Sequence, residues 1–158
     1  MKNQAWKTYL FWIALTEAVG GLSALLTRKG MEYFSAAVTQ PPFSPPPAAF
    51  GIAWALLYLL MAVGMARVRL REAVKSESRS LYLYLLQLAF NFIWSLIFFN
   101  LRAYLIAFLW LVALWVLIWN MARAFRKVDT VAARLQIPYL LWVAFAGYLN
   151  FGVWVLNR

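Results

Sequence analysis

Residues 41–66 read PPFSPPPAAFGIAWALLYLLMAVGMA. Five of the six prolines of the chain fall in the first seven of these positions, and an unbroken apolar run follows at once. Proline has no backbone N–H and a fixed φ, so the cluster predicts a stiff, non-helical loop. The run from Ala48 to Ala66 is long enough to cross a bilayer as a helix. A stiff loop set directly on a membrane helix makes a natural lid over a pocket, built here from Pro41, Pro42, Phe43, Pro45 and Pro46.

The rest of the chain agrees with membrane residence. Its 158 residues are 65% hydrophobic and only 13% charged, with a mean hydropathy of +0.71. A soluble domain of this length has no interior large enough to hide that much apolar surface. Four further apolar segments lie near residues 6–26, 81–99, 103–122 and 135–156. Each is close to the ~20 residues that span hydrocarbon as a helix. None alternates apolar and polar residues as a barrel strand would. The expected architecture is therefore an all-α bundle of five transmembrane helices, one membrane domain over residues 1–158. Only Asn100-Leu101-Arg102 separates the third and fourth spans, which predicts a tight helical hairpin.

The formal charge of +10 sorts by position. Lys2, Lys7, Arg67, Arg69, Arg71, Lys75, Arg79, Arg123, Arg126, Lys127 and Arg134 fall on one side of the five spans. Arg28, Lys29, Arg102 and Arg158 fall on the other. Eleven cations against four place the amino terminus in the cytoplasm and the carboxyl terminus outside, with the proline loop on the outer face. The charge then reads as topogenic, helped by anionic lipid, and not as a nucleic-acid footprint. The expected location is a bacterial cell membrane.

The chain has no Cys and no His. That removes disulfides, thiolate sites, the commonest metal ligand and the commonest general base. No acid pair, nucleophile set or phosphate-cradling loop replaces them. No metal or resident cofactor is expected. Chemistry would fall to Trp, Tyr or a bound ligand.

Three polar or aromatic patterns remain. Gln87, Asn91 and Ser95 share one face of the third span, with Trp94 beside them. Within hydrocarbon such a stripe faces other helices or a cavity, so it either bonds between helices or lines a pocket, and both can hold. Phe50, Trp54 and Tyr58 form an aromatic stripe just under the proline loop. Pro138, Trp142, Phe145 and Leu149 form an apolar face of the fifth span, beside the small Ala146 and Gly147 and the polar Asn150. Trp6, Trp119 and Trp154 lie near span ends, as interface anchors do. Glu17 is the one acid well inside a span, and an intramembrane carboxylate marks a candidate functional site such as that of a small proton-coupled transporter.

In order and position these residues resemble the TspO/MBR (translocator protein and tryptophan-rich sensory protein) family. The carriers are Pro45-Pro46 with Trp54 and Tyr58; Gln87, Asn91, Trp94, Phe98 and Phe99; and Pro138, Tyr139, Trp142, Phe145, Ala146, Leu149 and Asn150. The resemblance implies a five-helix bundle, often a homodimer, with a pocket beneath the first loop that binds porphyrins such as protoporphyrin IX and other apolar small molecules. Some members are reported to promote light-dependent porphyrin breakdown, and Trp54 and Trp142 match the two tryptophans tied to it. Tyr58, Asn91 and Ala146 match other pocket positions. Arg28, Lys29 and Arg102 lie on the same side as the loop, where cations can meet porphyrin carboxylates. The lack of His favours a metal-free tetrapyrrole over axially ligated haem.

The departures are specific. Gln40 and Phe43 stand where the family loop usually has Lys and Trp, and Ala48 replaces a common aromatic. The sterol pattern is broken after Leu149, so cholesterol is not expected. Glu17 lies outside the family pattern. Counted along their helices, Trp54 and Trp142 also lie at heights differing by about 10 Å.

Overall fold

The computed structural model describes residues 2–72 and 79–158, with side chains from residue 4 onward. Lys75, counted above among the cations, lies outside the described residues. Helix α1 runs Lys2–Ala37, α2 Pro47–Arg71, α3 Arg79–Ser95, α4 Tyr104–Arg126, α5 Thr130–Arg134 and α6 Ile137–Leu156. Among the described residues, five helical segments are long and apolar enough to cross a membrane. The all-α, five-helix expectation holds.

Two of the boundary differences from the sequence reading bear on the site. Helix α1 does not stop near Leu26 but continues to Ala37. Thr27 buries its hydroxyl by donating to the Ser23 carbonyl at 2.7 Å. Arg28 turns outward and pairs with Glu32 one turn on, at 3.3 Å. Gly30 meets the backbone of Phe99, which an added Cβ would approach to 2.6 Å. The polar TRKG sequence is thus a helical turn with its charges facing out. The proline cluster also yields its last member to a helix. Pro47 opens α2, where a missing N–H costs nothing and a preset φ helps.

The connecting loop is therefore only residues 38–46, and its first half is tied down on α6. Asn157 accepts from the Thr39 amide at 3.0 Å and donates to the Thr39 carbonyl at 2.8 Å. Tyr148 donates to the Pro42 carbonyl at 3.1 Å. Pro41 is buried against Gly152, where a Cβ would come within 2.7 Å of the proline ring. The loop thus dips between α1 and α6, and α2 begins below the rim.

Helix α3 continues into one π-turn, Leu96–Asn100, closed by the Leu101 amide on the Leu96 carbonyl at 3.0 Å. This wider turn buries Phe98 and Phe99 side by side and carries the Asn100 amide to the Leu26 carbonyl at 3.0 Å. The hairpin into α4 follows as expected. Arg102 turns the corner in the left-handed region, φ 54°, with its guanidinium 3.6 Å from the centre of the Tyr33 ring.

Packing is uneven along the bundle. Toward the end that carries most of the Arg residues, Met61, Met65, Leu114, Ile118, Met121 and Phe125 are fully buried. Toward the proline loop, aromatic rings line chambers inside the bundle.

Candidate functional site

The buried polar residues of α3 come first, because they set the floor. Asn91 accepts from the Tyr58 hydroxyl at 3.2 Å and donates to the Tyr139 hydroxyl at 2.6 Å. Tyr139 donates in turn to Gln87 at 2.8 Å. This chain stitches α2, α3 and α6 inside the bundle, satisfying polar groups that hydrocarbon would leave without partners. One turn nearer the loop, the Trp94 indole donates to Asn150 at 3.1 Å, and Asn150 donates to the Tyr104 carbonyl at 2.7 Å.

Two chambers lie on the loop side of this floor. The smaller, about 100 Å³, is beneath the proline loop. Gln40, Ser44, Pro45 and Pro47 roof it, and Phe34, Phe98, Ala146 and Leu149 line it below. The larger, about 260 Å³, lies between α1, α2 and α3 and reaches down to Glu17, Tyr58 and Asn91. Met31, Phe50, Trp94 and Phe99 wall both. The exposed small residues Gly21, Ala24, Gly51 and Ala55 edge the larger chamber. They bring the larger chamber to the surface of the bundle at α1 and α2.

Trp54 stands at the centre of the ring cluster. Its ring centre lies 6.2 Å from Phe50, 5.8 Å from Tyr58, 6.1 Å from Trp94 and 6.4 Å from Trp142. Edge and tilted contacts of this kind favour a fixed aromatic scaffold. The expected offset of about 10 Å between Trp54 and Trp142 is therefore absent. Pro47 shares the smaller chamber with Leu149 and Val153, and two turns from Pro47 along α2 and from Leu149 along α6 reach Trp54 and Trp142.

These rings, polar pairs and chambers meet where the sequence motifs fall. The sequence profile of the TspO/MBR family matches residues 12–155. The chain belongs to the TspO/MBR family. It is 33% identical to the tryptophan-rich protein TspO of Chlorobaculum tepidum over 98% of this chain and 99% of that one. It is 36% identical to the protein CrtK of Rhodobacter capsulatus over 89% and 87%. It is 34% identical to the translocator protein of Bos taurus over 91% and 87%.

The TspO/MBR motif residues divide by role. Phe50, Trp54, Tyr58, Asn91, Trp94 and Ala146 line one or both chambers. Gln87 lines neither and is spent on the floor network. Trp142 and Phe145 line neither as well. Trp142 backs the wall, its ring centre 6.0 Å from Phe50, and its buried indole N–H has no partner among the described residues. A Cβ added at Gly147 would lie 3.9 Å from the Leu111 side chain of α4.

Within the loop, Pro45 roofs the smaller chamber, Pro41 anchors on α6, and Pro42 supplies a carbonyl. Pro46 is exposed and caps α2. Phe43 points away, 86% exposed, at φ 67°. Arg28, Lys29 and Arg102 line neither chamber, since Arg28 and Arg102 are engaged with Glu32 and Tyr33.

Sequence reading missed the α1 face. Gly20, Ser23, Thr27, Met31 and Phe34 recur every three or four residues on the chamber side. That periodicity was the available signal, hidden by ending the span at Leu26.

Proposed function

We propose that this integral membrane protein binds porphyrin-type tetrapyrroles, protoporphyrin IX among them, and related flat apolar molecules in the two adjoining chambers. The observation that carries the reading is the shared aromatic wall. Phe50, Trp94 and Phe99 face both spaces, with Trp54 beside them in the larger. Their combined size reaches the ~300 Å³ at which small-molecule sites begin. A flat π-system entering between α1 and α2 would lie against indole faces. The basic end of the bundle is proposed to face the cytoplasm and the loop the outside. The proposed assembly is a homodimer, which the mass of the detergent-solubilised particle reads directly.

The test is tryptophan quenching by protoporphyrin IX. Trp54→Ala is expected to weaken binding about tenfold, the loss of one ring contact with its buried area. Trp142→Ala, acting through the backing of the wall, is expected to weaken it less. An unchanged affinity in Trp54→Ala overturns the site. Glu17→Gln is expected to tighten the anionic porphyrin about threefold, because it removes a like charge from the larger chamber.

Contact between Trp54 and Trp142 favours a second reading, light-dependent porphyrin breakdown with these two indoles as the reactive groups. A new absorbing product under illumination, lost in Trp142→Phe, is its signature. Bleaching equal to that of an unrelated Trp-rich membrane protein ends it. The location of Glu17 on the larger chamber keeps a third reading in view, proton-coupled transport. Gradient-driven uptake into proteoliposomes must then fail in Glu17→Gln.

A further inference from the structure

A cavity of about 450 Å³ lies at the opposite end of the bundle, between the last turns of α4 and the α5–α6 corner. Arg123 and Arg126 reach it from α4 and Arg134 from the end of α5, with Thr130 between them. No Asp or Glu is among its lining residues within the described part of the chain. Among the described residues, none of the three arginines makes an ion pair. The nearest acid in sequence, Asp129, is buried and already holds Arg67 and Arg71, each at 3.0 Å.

The other walls are apolar. Ile137 and Trp119 are each about half exposed, and Leu140 lies behind them. Trp119 is one turn from Arg123, so it lies about 6 Å deeper along α4. Its ring stacks on Trp115, at 5.8 Å and 11°, and Trp115 is fixed by donating to the Leu140 carbonyl at 3.1 Å. The cavity therefore has a basic rim at headgroup depth and an apolar wall at acyl depth.

We propose that this groove is a binding site for an anionic glycerophospholipid. Its phosphate would meet the three guanidiniums and the Thr130 hydroxyl, and its upper acyl chain would lie on Trp119, Ile137 and Leu140. Three converging cations with no acid repel one another, and a phosphate relieves this with paired N–H donors. Topology alone requires cations near the span ends but not their convergence on one cavity with an apolar side. A free phosphate would use the rim and leave the apolar wall idle, so the two walls together select a lipid.

The experiment measures retained lipid by native mass spectrometry, and the thermal shift on adding lipid, for the full chain in neutral detergent. The probes are phosphatidylglycerol, phosphatidylcholine and inorganic phosphate. The parent is expected to hold phosphatidylglycerol in preference to phosphatidylcholine. The triple variant Arg123→Gln, Arg126→Gln, Arg134→Gln is expected to lose at least about tenfold of that affinity. Arg28→Gln with Lys29→Gln, at the other end, is expected to change nothing. Trp119→Ala is expected to weaken the lipid several-fold without altering any response to phosphate.

Should the Gln variant fail to insert, the Arg→Lys triple keeps the topogenic charge and is expected to weaken the lipid through the lost bidentate pairing. Full retention of phosphatidylglycerol by whichever triple variant inserts overturns the proposal. So does inorganic phosphate stabilising as well as the lipid, with Trp119→Ala silent, which would make this a site for the free anion.

Discussion

Asn91→Leu lowers the stability of the bundle by about 2–3 kcal/mol while leaving its helical content intact. Leu keeps the branched shape with the same number of side-chain heavy atoms, so lost partners are the main term, with some added crowding where the amide sat 2.6 Å from Tyr139. Tyr58 is buried and donates only to Asn91. Without that acceptor its buried hydroxyl is left without a protein partner, at a cost of roughly 1–3 kcal/mol. Tyr139 keeps Gln87 as acceptor at 2.8 Å but loses the donor on its other side. Intramembrane hydrogen bonds average only about 0.6 kcal/mol by double-mutant cycle, because the unfolded chain in the membrane finds other partners. The orphaned hydroxyl is therefore the larger part of the effect.

A cycle with Tyr58→Phe separates the two contributions. In the Phe background the hydroxyl is already gone, and Asn91→Leu is expected to cost about 1 kcal/mol less. Unfolding by titration with a denaturing detergent reads both. Additive losses would mean that the Tyr58–Asn91 bond is not formed in the bilayer. The same substitution also removes a polar group from the larger chamber, whose floor Asn91 shares with Tyr58 and Glu17. Stability and ligand affinity are thus coupled through one side chain.

That coupling explains which parts of the molecule were legible in the sequence. Helix count, order and the hairpin after Asn100 follow from hydropathy and spacing, because the bilayer allows little else. The polar stripe on α3 announced that Gln87 and Asn91 face protein. It did not say that Gln87 would be consumed by Tyr139 while Asn91 also faces a chamber, since that depends on how deep α2 and α6 are set. Depth was the missing variable for Trp54 and Trp142 too. Pro41 seated on Gly152 lowers the start of α2, and no count along one helix records a contact between two. The continuation of α1 past Arg28 was hidden for a related reason. An outward-facing Arg28–Glu32 pair reads in sequence as a span end. The π-turn at Leu96–Asn100 leaves no compositional mark, yet it lets Phe98 and Phe99 face inward together.

Asp129→Ala is expected to destabilise the protein by about 3 kcal/mol, and the reason lies in how one carboxylate serves two purposes. One oxygen caps α5, accepting from the Val131 and Ala132 amides at 2.8 and 3.1 Å. The other lies 3.0 Å from both Arg67 and Arg71 of α2, as charge contacts without hydrogen-bond alignment. The side chain is 1% exposed. Alanine removes the cap and leaves Arg67, only 27% exposed, without its counter-charge. Asparagine keeps an acceptor for the cap and loses only the charge, so Asp129→Asn is expected to retain part of the stability.

The pH response follows from the same geometry. Burial pushes the Asp129 carboxyl upward, but the two amides and then the two guanidiniums outweigh it and hold the group below its ordinary value of 3.8. A depressed folded value means that the folded state binds the proton less readily than the unfolded one. The contribution is therefore complete above about pH 5 and is lost as pH falls through 3.8 toward the folded value. Detergent-titration stabilities of the parent and Asp129→Asn should differ at pH 7 and begin to converge only as pH falls below 3.8. No gap at pH 7 would mean that the cap, and not the charge, fastens the α4–α5 corner to α2. Because Arg123, Arg126 and Arg134 are arranged around that same corner, loosening it in Asp129→Ala should also blur their convergence and weaken anionic lipid binding.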